Sequence, residues 1–454
     1  MSVPFGDISR GKNPGGRDQL RPDWEVFMRS SIRFSLLACA VGVVAPAFVS
    51  MVGVASAADE TFTATSAITL PDGKKITSFD ISFVDPKLEL YVLGDRTNAS
   101  IDVVDVESHA VRLITPTGAD KFAGATGNNN TSGPDGVIII GDQVWAGDGD
   151  STVKIFNVQT GAHIFTVHTG APTDFRADEL CFDRRDKLVM VANNAATPPF
   201  ATIISTEDFS IKAKIKFDGT NGAPSSNNGA EQCQWSKRTG KFYISIPGID
   251  PFTDGTGGVA VIDPKTGKVE TTFVIPLADC NAPQGMAVGP DHQILLGCNG
   301  ANATASTAII DERDGHTIKA FANESGSDEV WFNPGDNHYF LARSSAVGPN
   351  QLLGVIDAES LTADASAVTN AAGKGNVHSV AADPEHNQVF VPIPGTATAG
   401  VCENAGGVAG QGCIAVFTTP HDDKCFAEGS PVIRVSEDGD DDHMRESCHR
   451  HDHD

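Results

Sequence analysis

The feature that most constrains the fold is a hairpin-shaped stretch that recurs seven times along the 454 residues. Its copies read FDISFVDPKLELYVLGD, PDGVIIIGDQVWAGD, ADELCFDRRDKLVMVANN, AEQCQWSKRTGKFYISIP, NAPQGMAVGPDHQILLGCN, SDEVWFNPGDNHYFLARS and VHSVAADPEHNQVFVPIP. Each begins with a polar residue and an apolar run, turns on Gly, Pro, Asp or Asn, and ends in a second apolar run. That is the pattern of a β-hairpin.

Aligning the copies places Asp80, Asp135, Asp178, Glu231, Gln284, Asp328 and His378 in one column, at intervals of 55, 43, 53, 53, 44 and 50 residues. A period of about 50 residues is that of a propeller blade. Six copies are followed by a third strand, a turn and a fourth strand, as in IDVVDVESHAVRLITP and VKIFNVQTGAHIFTVH. The seventh has a third strand, Cys413 to Thr418, but no fourth. The segment Thr61 to Leu70 has the alternation to supply it, which would lace the ring shut and leave no free sheet edge. The chain is therefore expected to be all-β, a seven-bladed β-propeller closed by an N-terminal strand in the last blade.

Three regions follow. Residues 1–57 combine a polar stretch with MRSSIRFSLLACAVGVVAPAFVSMVGVASAADE, where Arg29 and Arg33 precede an apolar run and Ala55-Ser56-Ala57 fits a signal-peptidase site. Cleavage after Ala57 is expected, with Met28 as the true start. An uncleaved N-terminal anchor, the alternative, would be the only contact with a membrane. Residues 58–419 form the propeller. Residues 420–454 form an acidic tail that carries five of the 13 His, too polar to bury a core and expected to be disordered. Its His443, His449, His451 and His453 suit either a transition metal or plain solvation.

Outside the signal, eight Cys remain, an even number that reads as disulfides in an exported, periplasmic or extracellular chain. Cys181 with Cys233, Cys280 with Cys298, Cys402 with Cys413 and Cys425 with Cys448 are the expected pairs; buried free thiols are the alternative.

The mouth of the channel carries the chemistry. Innermost strands start there, so the column should face one space with five carboxylates, one amide and one imidazole. Such crowding raises carboxyl pKa values or recruits a hard cation, Ca²⁺ being the first expectation. Glu179, Asn228, Gln232, Asn281, Glu329 and Asn376 would complete a shell, and Asp95, Asp148, Asp150, Asn193 and Asn194 stand on loops opening to the same face. The bland alternative is a polar, water-filled channel. A net charge of −25, from 33 basic and 58 acidic residues, excludes nucleic acid as a partner. Nothing in the sequence points to an organic cofactor, and GxSxG, HExxH and GxxxxGK[ST] are absent.

The hairpin followed by a strand ending in Ile-Asp and a Gly-containing turn, as in VAVIDPKTGKVE, resembles the YVTN-type and SMP-30/gluconolactonase-like seven-bladed propellers over roughly residues 59–419. The resemblance implies a divalent cation held at the mouth by Glu231, Asn281 and Asp328, with Asp178 or His378 as catalytic base. Two functions are therefore expected side by side: a binding propeller for a small polar molecule, a cation or a protein partner, and a metal-dependent lactonase. The enzyme predicts a compact pocket above the channel, the scaffold an open mouth.

Overall fold

The second strand of each hairpin decides how the ring is built. In the computed structural model, which describes residues 61–300, 306–344, 350–371 and 376–418, the strands Leu90–Asp95, Leu188–Asn193 and His338–Arg343 are buried at every position. They read as nearly unbroken apolar runs because each lies between two apolar layers. Burial then falls outward. In the fourth strands His163–His168 and Ile211–Lys216, most side chains are exposed.

The strands pair into seven antiparallel sheets, six of four strands and one of five. Their innermost strands are Ser82–Asp85, Val137–Ile140, Leu180–Asp183, Cys233–Ser236, Pro283–Val288, Glu329–Asn333 and Ala381–Asp383, which open blades 1 to 7 in chain order. The seventh sheet is completed by Thr63–Ile68, which pairs with Gly412–Thr418 and sets Thr63 opposite Thr418 and Ile68 opposite Ile414. The expected N-terminal closure is thus observed. One buried apolar cluster lies between each pair of neighbouring blades; Met190 and Ile203 of blade 3, for instance, pack with Phe242 and Ile262 of blade 4.

The Ile-Asp motif has a local cause. Asp263 Oδ1 accepts from the N–H groups of Lys265 and Thr266, both at 2.9 Å. Asp357 Oδ1 does the same with Glu359 at 2.9 Å and Ser360 at 2.6 Å. The Asp that ends the third strand therefore satisfies the backbone donors of the turn to the fourth.

Three expected disulfides are present: Cys181–Cys233 across blades 3 and 4, Cys280–Cys298 and Cys402–Cys413. Cys425 and Cys448 lie outside the described residues, as do the candidate signal segment and the His-rich tail. The chain divides into two units between Ala57 and Ala58. Among the described residues no helix is long and apolar enough to cross a membrane.

Candidate functional site: an ion-paired channel mouth

The column forms because the backbone repeats. The N–H groups of Asp80, Asp135, Asp178 and Glu231 donate to the carbonyls of Gly94, Gly147, Ala192 and Ser245 at 2.9, 3.0, 2.8 and 2.9 Å. One residue on, the carbonyls of Ile81, Gly136, Glu179 and Gln232 accept from the same four partners. An identical ladder in four blades aims four side chains alike. Asp328 enters the same pattern through a longer bond to the Ala342 carbonyl, 3.4 Å. Gln284 lies inside its strand, where the register shifts between Pro283 and Met286. Close blade approach fixes two glycines: a Cβ on Gly136 or Gly147 would stand 2.1 Å from the carbonyl oxygen of Asp178 or Ala177.

The crowd of carboxylates is not left uncompensated. Arg96 Nη2 bonds Asp80 Oδ2 at 2.6 Å and, at very short range, Asp135 Oδ1, which also accepts from Arg96 Nε at 2.9 Å. Its Nη1 donates to Asn129 Oδ1 at 2.6 Å. Arg176 Nε and Nη2 meet Asp178 Oδ2 at 2.8 and 2.7 Å, and Nε also reaches Asn194 Oδ1 at 3.2 Å. His378 Nε2 lies 2.9 Å from Asp80 Oδ1, with its ring stacked on Phe79. From the column alone, five carboxylates with one amide and one imidazole were expected to raise carboxyl pKa values or recruit a hard cation. The correction is that two buried guanidinium groups stand among them.

Three carboxylates, those of Asp80, Asp135 and Asp178, offer oxygens within 4.8 Å of one another, a spacing that suits a metal ion. Arg96 already holds Asp80 Oδ2 and Asp135 Oδ1, while the buried Asp135 Oδ2 has no hydrogen-bond partner among the described residues, so a cation there would share the carboxylates with a guanidinium. The other half of the ring differs. Glu231 receives only the Asn194 amide, 3.3 Å from its Oε2. In blade 5 the buried Gln284 Oε1 has no hydrogen-bond partner among the described residues. In blade 6 Asp328 has none of the arginine contacts seen in blades 1 to 3.

Ionisation follows this asymmetry. Burial works to raise Asp80, but Arg96 and the His378 hydrogen bond outweigh it and hold the carboxyl far below its usual range. Burial raises Asp178 to about 6 against the pull of Arg176. Glu231 is pushed up to about 8 by burial and by the charges of Asp178 and Asp328. Burial likewise raises Asp135 and Asp328. For His378 burial disfavours the charged form, yet the bond to Asp80 prevails and raises it above 6.5.

Asn281, named with Glu231 and Asp328 as a ligand, packs its Oδ1 against Gly255 and Gly300, and Thr256 bridges its backbone. The loop residues are spent on structure. Asp95 accepts from Asn98, Asp148 pairs with Lys154, Asp150 accepts from Thr152, and Asn193 donates to Ser151 and to the Arg176 carbonyl. Gln232 Oε1 accepts the Met286 N–H, while Glu179 and Glu329 bond each other. Arg96 and Arg176 were missed, and both carry a signal. Arg96 directly follows Gly94-Asp95, which returns to the mouth, and Arg176 stands two residues before a column member.

The fold and this mouth define the class: a seven-bladed β-propeller. No family model matches the chain, and no curated protein is significantly similar to it. Chains of solved structures that match number 1682, so the architecture alone selects no activity. One of them comes from the "Crystal Structure of Mitotic Checkpoint Complex", with a TM-score of 0.56 and 12% identity, covering 86% of this chain and 98% of that one. At that identity the likeness is one of fold.

Proposed function

We propose that this is an exported binding propeller that takes a small polar ligand or a hard cation on the Glu231, Gln284 and Asp328 arc of its mouth. The observation that carries the reading is the uneven charge. Arg96 and Arg176 form ion pairs with the carboxylates of blades 1 to 3, whereas among the described residues neither guanidinium is paired with those of blades 4 and 6, which feel Arg176 only at longer range. Two carboxylates and an unpartnered amide oxygen offer the oxygen ligands that Ca²⁺ prefers. Three disulfides and the candidate signal segment favour an oxidising compartment.

The SMP-30/gluconolactonase-like alternative receives less support. A general base must be unprotonated and free to reach a proton. His378 is bonded to Asp80, which raises its pKa and makes it a weaker proton acceptor at neutral pH, and Asp178 is paired with Arg176. Elemental analysis of the untagged secreted protein, intact and ending at Pro420, tests the proposal. Near-stoichiometric Ca²⁺ in both, lost in Asp328→Ala, together with no hydrolysis of simple lactones, is the expected result. Absence of Ca²⁺ from both overturns the cation site, and lactone turnover that disappears in Asp328→Ala would restore the enzyme.

A further inference from the structure

Below the ion-paired mouth the channel widens into a cavity of about 680 Å³. Its walls are the innermost strands of blades 1 to 6, and it reaches the face opposite the mouth, where Pro86, Lys87, Asp142 and Arg184 stand exposed on the turns that follow those strands. Small-molecule sites typically occupy about 300–1,000 Å³ and are largely apolar.

The wall is aromatic. Phe83, Phe182, Trp235, Trp331 and Phe332 line it as half-buried rings, so two of the protein's four Trp present part of their surface to the channel. Phe83 of blade 1 meets Trp331 of blade 6 edge to face, with ring centroids 5.5 Å apart, which closes the wall in front of blade 7. Water gains few hydrogen bonds from such a surface, whereas an apolar body gains contact on several sides.

Polar groups on this wall are few, and two come from one strand. Gln232 and Gln234 of blade 4 are two residues apart in extended backbone and so share a side, and both line the cavity. Gln232 is 6% exposed. Its Oε1 accepts the Met286 N–H, which fixes Nε2 as a donor that has no partner among the described residues. The Gln234 amide, half-buried, likewise makes no hydrogen bond among them. Two unmet amide donors beside an apolar space call for an acceptor on whatever fills it.

Charge narrows the class. At the opening Lys87 and Arg184 stand against Asp85 and Asp142, so neither sign is in excess there. At the inner end the cavity is lined by Glu179, 5% exposed. An anion drawn in by Arg184 meets the Glu179 carboxyl, and a cation drawn in by Glu179 has to pass Arg184 and Lys87. An uncharged body is opposed at neither end.

We propose that the lower channel binds an uncharged, flat, largely apolar molecule with a carbonyl-type acceptor, its rings between Phe83, Trp235 and Trp331 and its oxygen on the Gln232 and Gln234 amides. The site is separate from the Glu231, Gln284 and Asp328 arc and needs no cation there.

The test is equilibrium dialysis of the oxidised full chain against four compounds that share one dimethylaminonaphthalene ring and differ in a single group: a propionyl ketone, an ethyl group, a carboxylate or a methylammonium. The ring fluoresces, so bound compound is counted directly. The ketone is expected to bind saturably and at least about 10-fold tighter than the carboxylate or the ammonium, which would have to leave water for an apolar wall. It should bind about 3- to 10-fold tighter than the ethyl compound, the span of one net hydrogen bond. Gln234→Leu should narrow that second preference, and Val288→Trp, which fills the cavity, should abolish uptake of all four. In the native chain, where no variant has to fold, the proposal is overturned by a charged member bound as tightly as the ketone, by a ketone bound no tighter than the ethyl compound, or by the lack of saturable uptake. Ketone binding that survives Val288→Trp in a chain with native circular dichroism overturns it as well.

Discussion

Replacing Arg96 by Met tests the electrostatic account of the mouth most directly. Arg96 is the shared counter-ion of Asp80 and Asp135, with side-chain exposures of 5%, 8% and 0%. Removing one member of a buried ion pair leaves an uncompensated charge and costs about 3–5 kcal/mol. Unfolding a ring of about 360 residues carries an entropy of roughly 2.1 cal/mol/K per residue, or about 0.75 kcal/mol/K in all. The expected fall in Tm at pH 7 is therefore about 4–7 °C. The pH dependence separates charge from packing. In the native chain Asp80 is depressed below its ordinary value of 3.8, so its contribution is present above that pH and lost as the pH falls through the folded value. In Arg96→Met both carboxyls have raised values, so the folded variant binds protons that the unfolded chain releases, and its deficit shrinks on going from pH 7 to pH 4. Urea unfolding at the two pH values measures this, and Arg96→Met with Asp135→Asn should recover part of the loss at pH 7. A deficit below about 1 kcal/mol, or one that does not change with pH, would refute the reasoning.

Three further outcomes are expected. His378→Gln should cost stability below pH 6.5, with the cost fading as the pH rises through the raised value of His378, since a group raised in the folded state loses its contribution there; a deficit that grows with pH would contradict the Asp80 bond, and paired urea titrations decide it. Gly147→Ala drives a methyl group against the blade 3 backbone, 2.1 Å from the Ala177 carbonyl oxygen, and should lower stability by about 1–3 kcal/mol as overpacking does. Removing Cys181–Cys233, which spans 52 residues, should destabilise by about 4 kcal/mol, and removing Cys402–Cys413, which spans 11, by about 3 kcal/mol; double serine variants compared in urea give the order.

The fold was legible in the sequence because the ring reuses one local solution. An apolar run buried on both faces, a turn capped by the Asp after Ile, and an interval near 50 residues recur, so seven weak hairpin signals reinforce one another. Closure by Thr63–Ile68 was legible for a related reason. A seventh blade with three strands and an N-terminal segment with strand alternation leave one way to remove both edges. The four-strand pattern was less regular in blade 6, whose outer edge is split into Thr362–Ala363 and Ala367–Ala371.

The mouth was half legible, and the reason lies in what the repeat cannot carry. Alignment finds residues that occupy equivalent positions, so it found Asp80, Asp135 and Asp178. It cannot find a side chain that reaches across from a neighbouring position. Arg96 comes from the end of a second strand and Arg176 from the approach to an innermost one, yet both guanidinium groups meet the same column. Five carboxylates in a ring imply a positive charge somewhere nearby, because burying them without one is prohibitive. The sequence already held two ways to supply it, a bound ion or a long basic side chain within reach. Choosing between them required the distances.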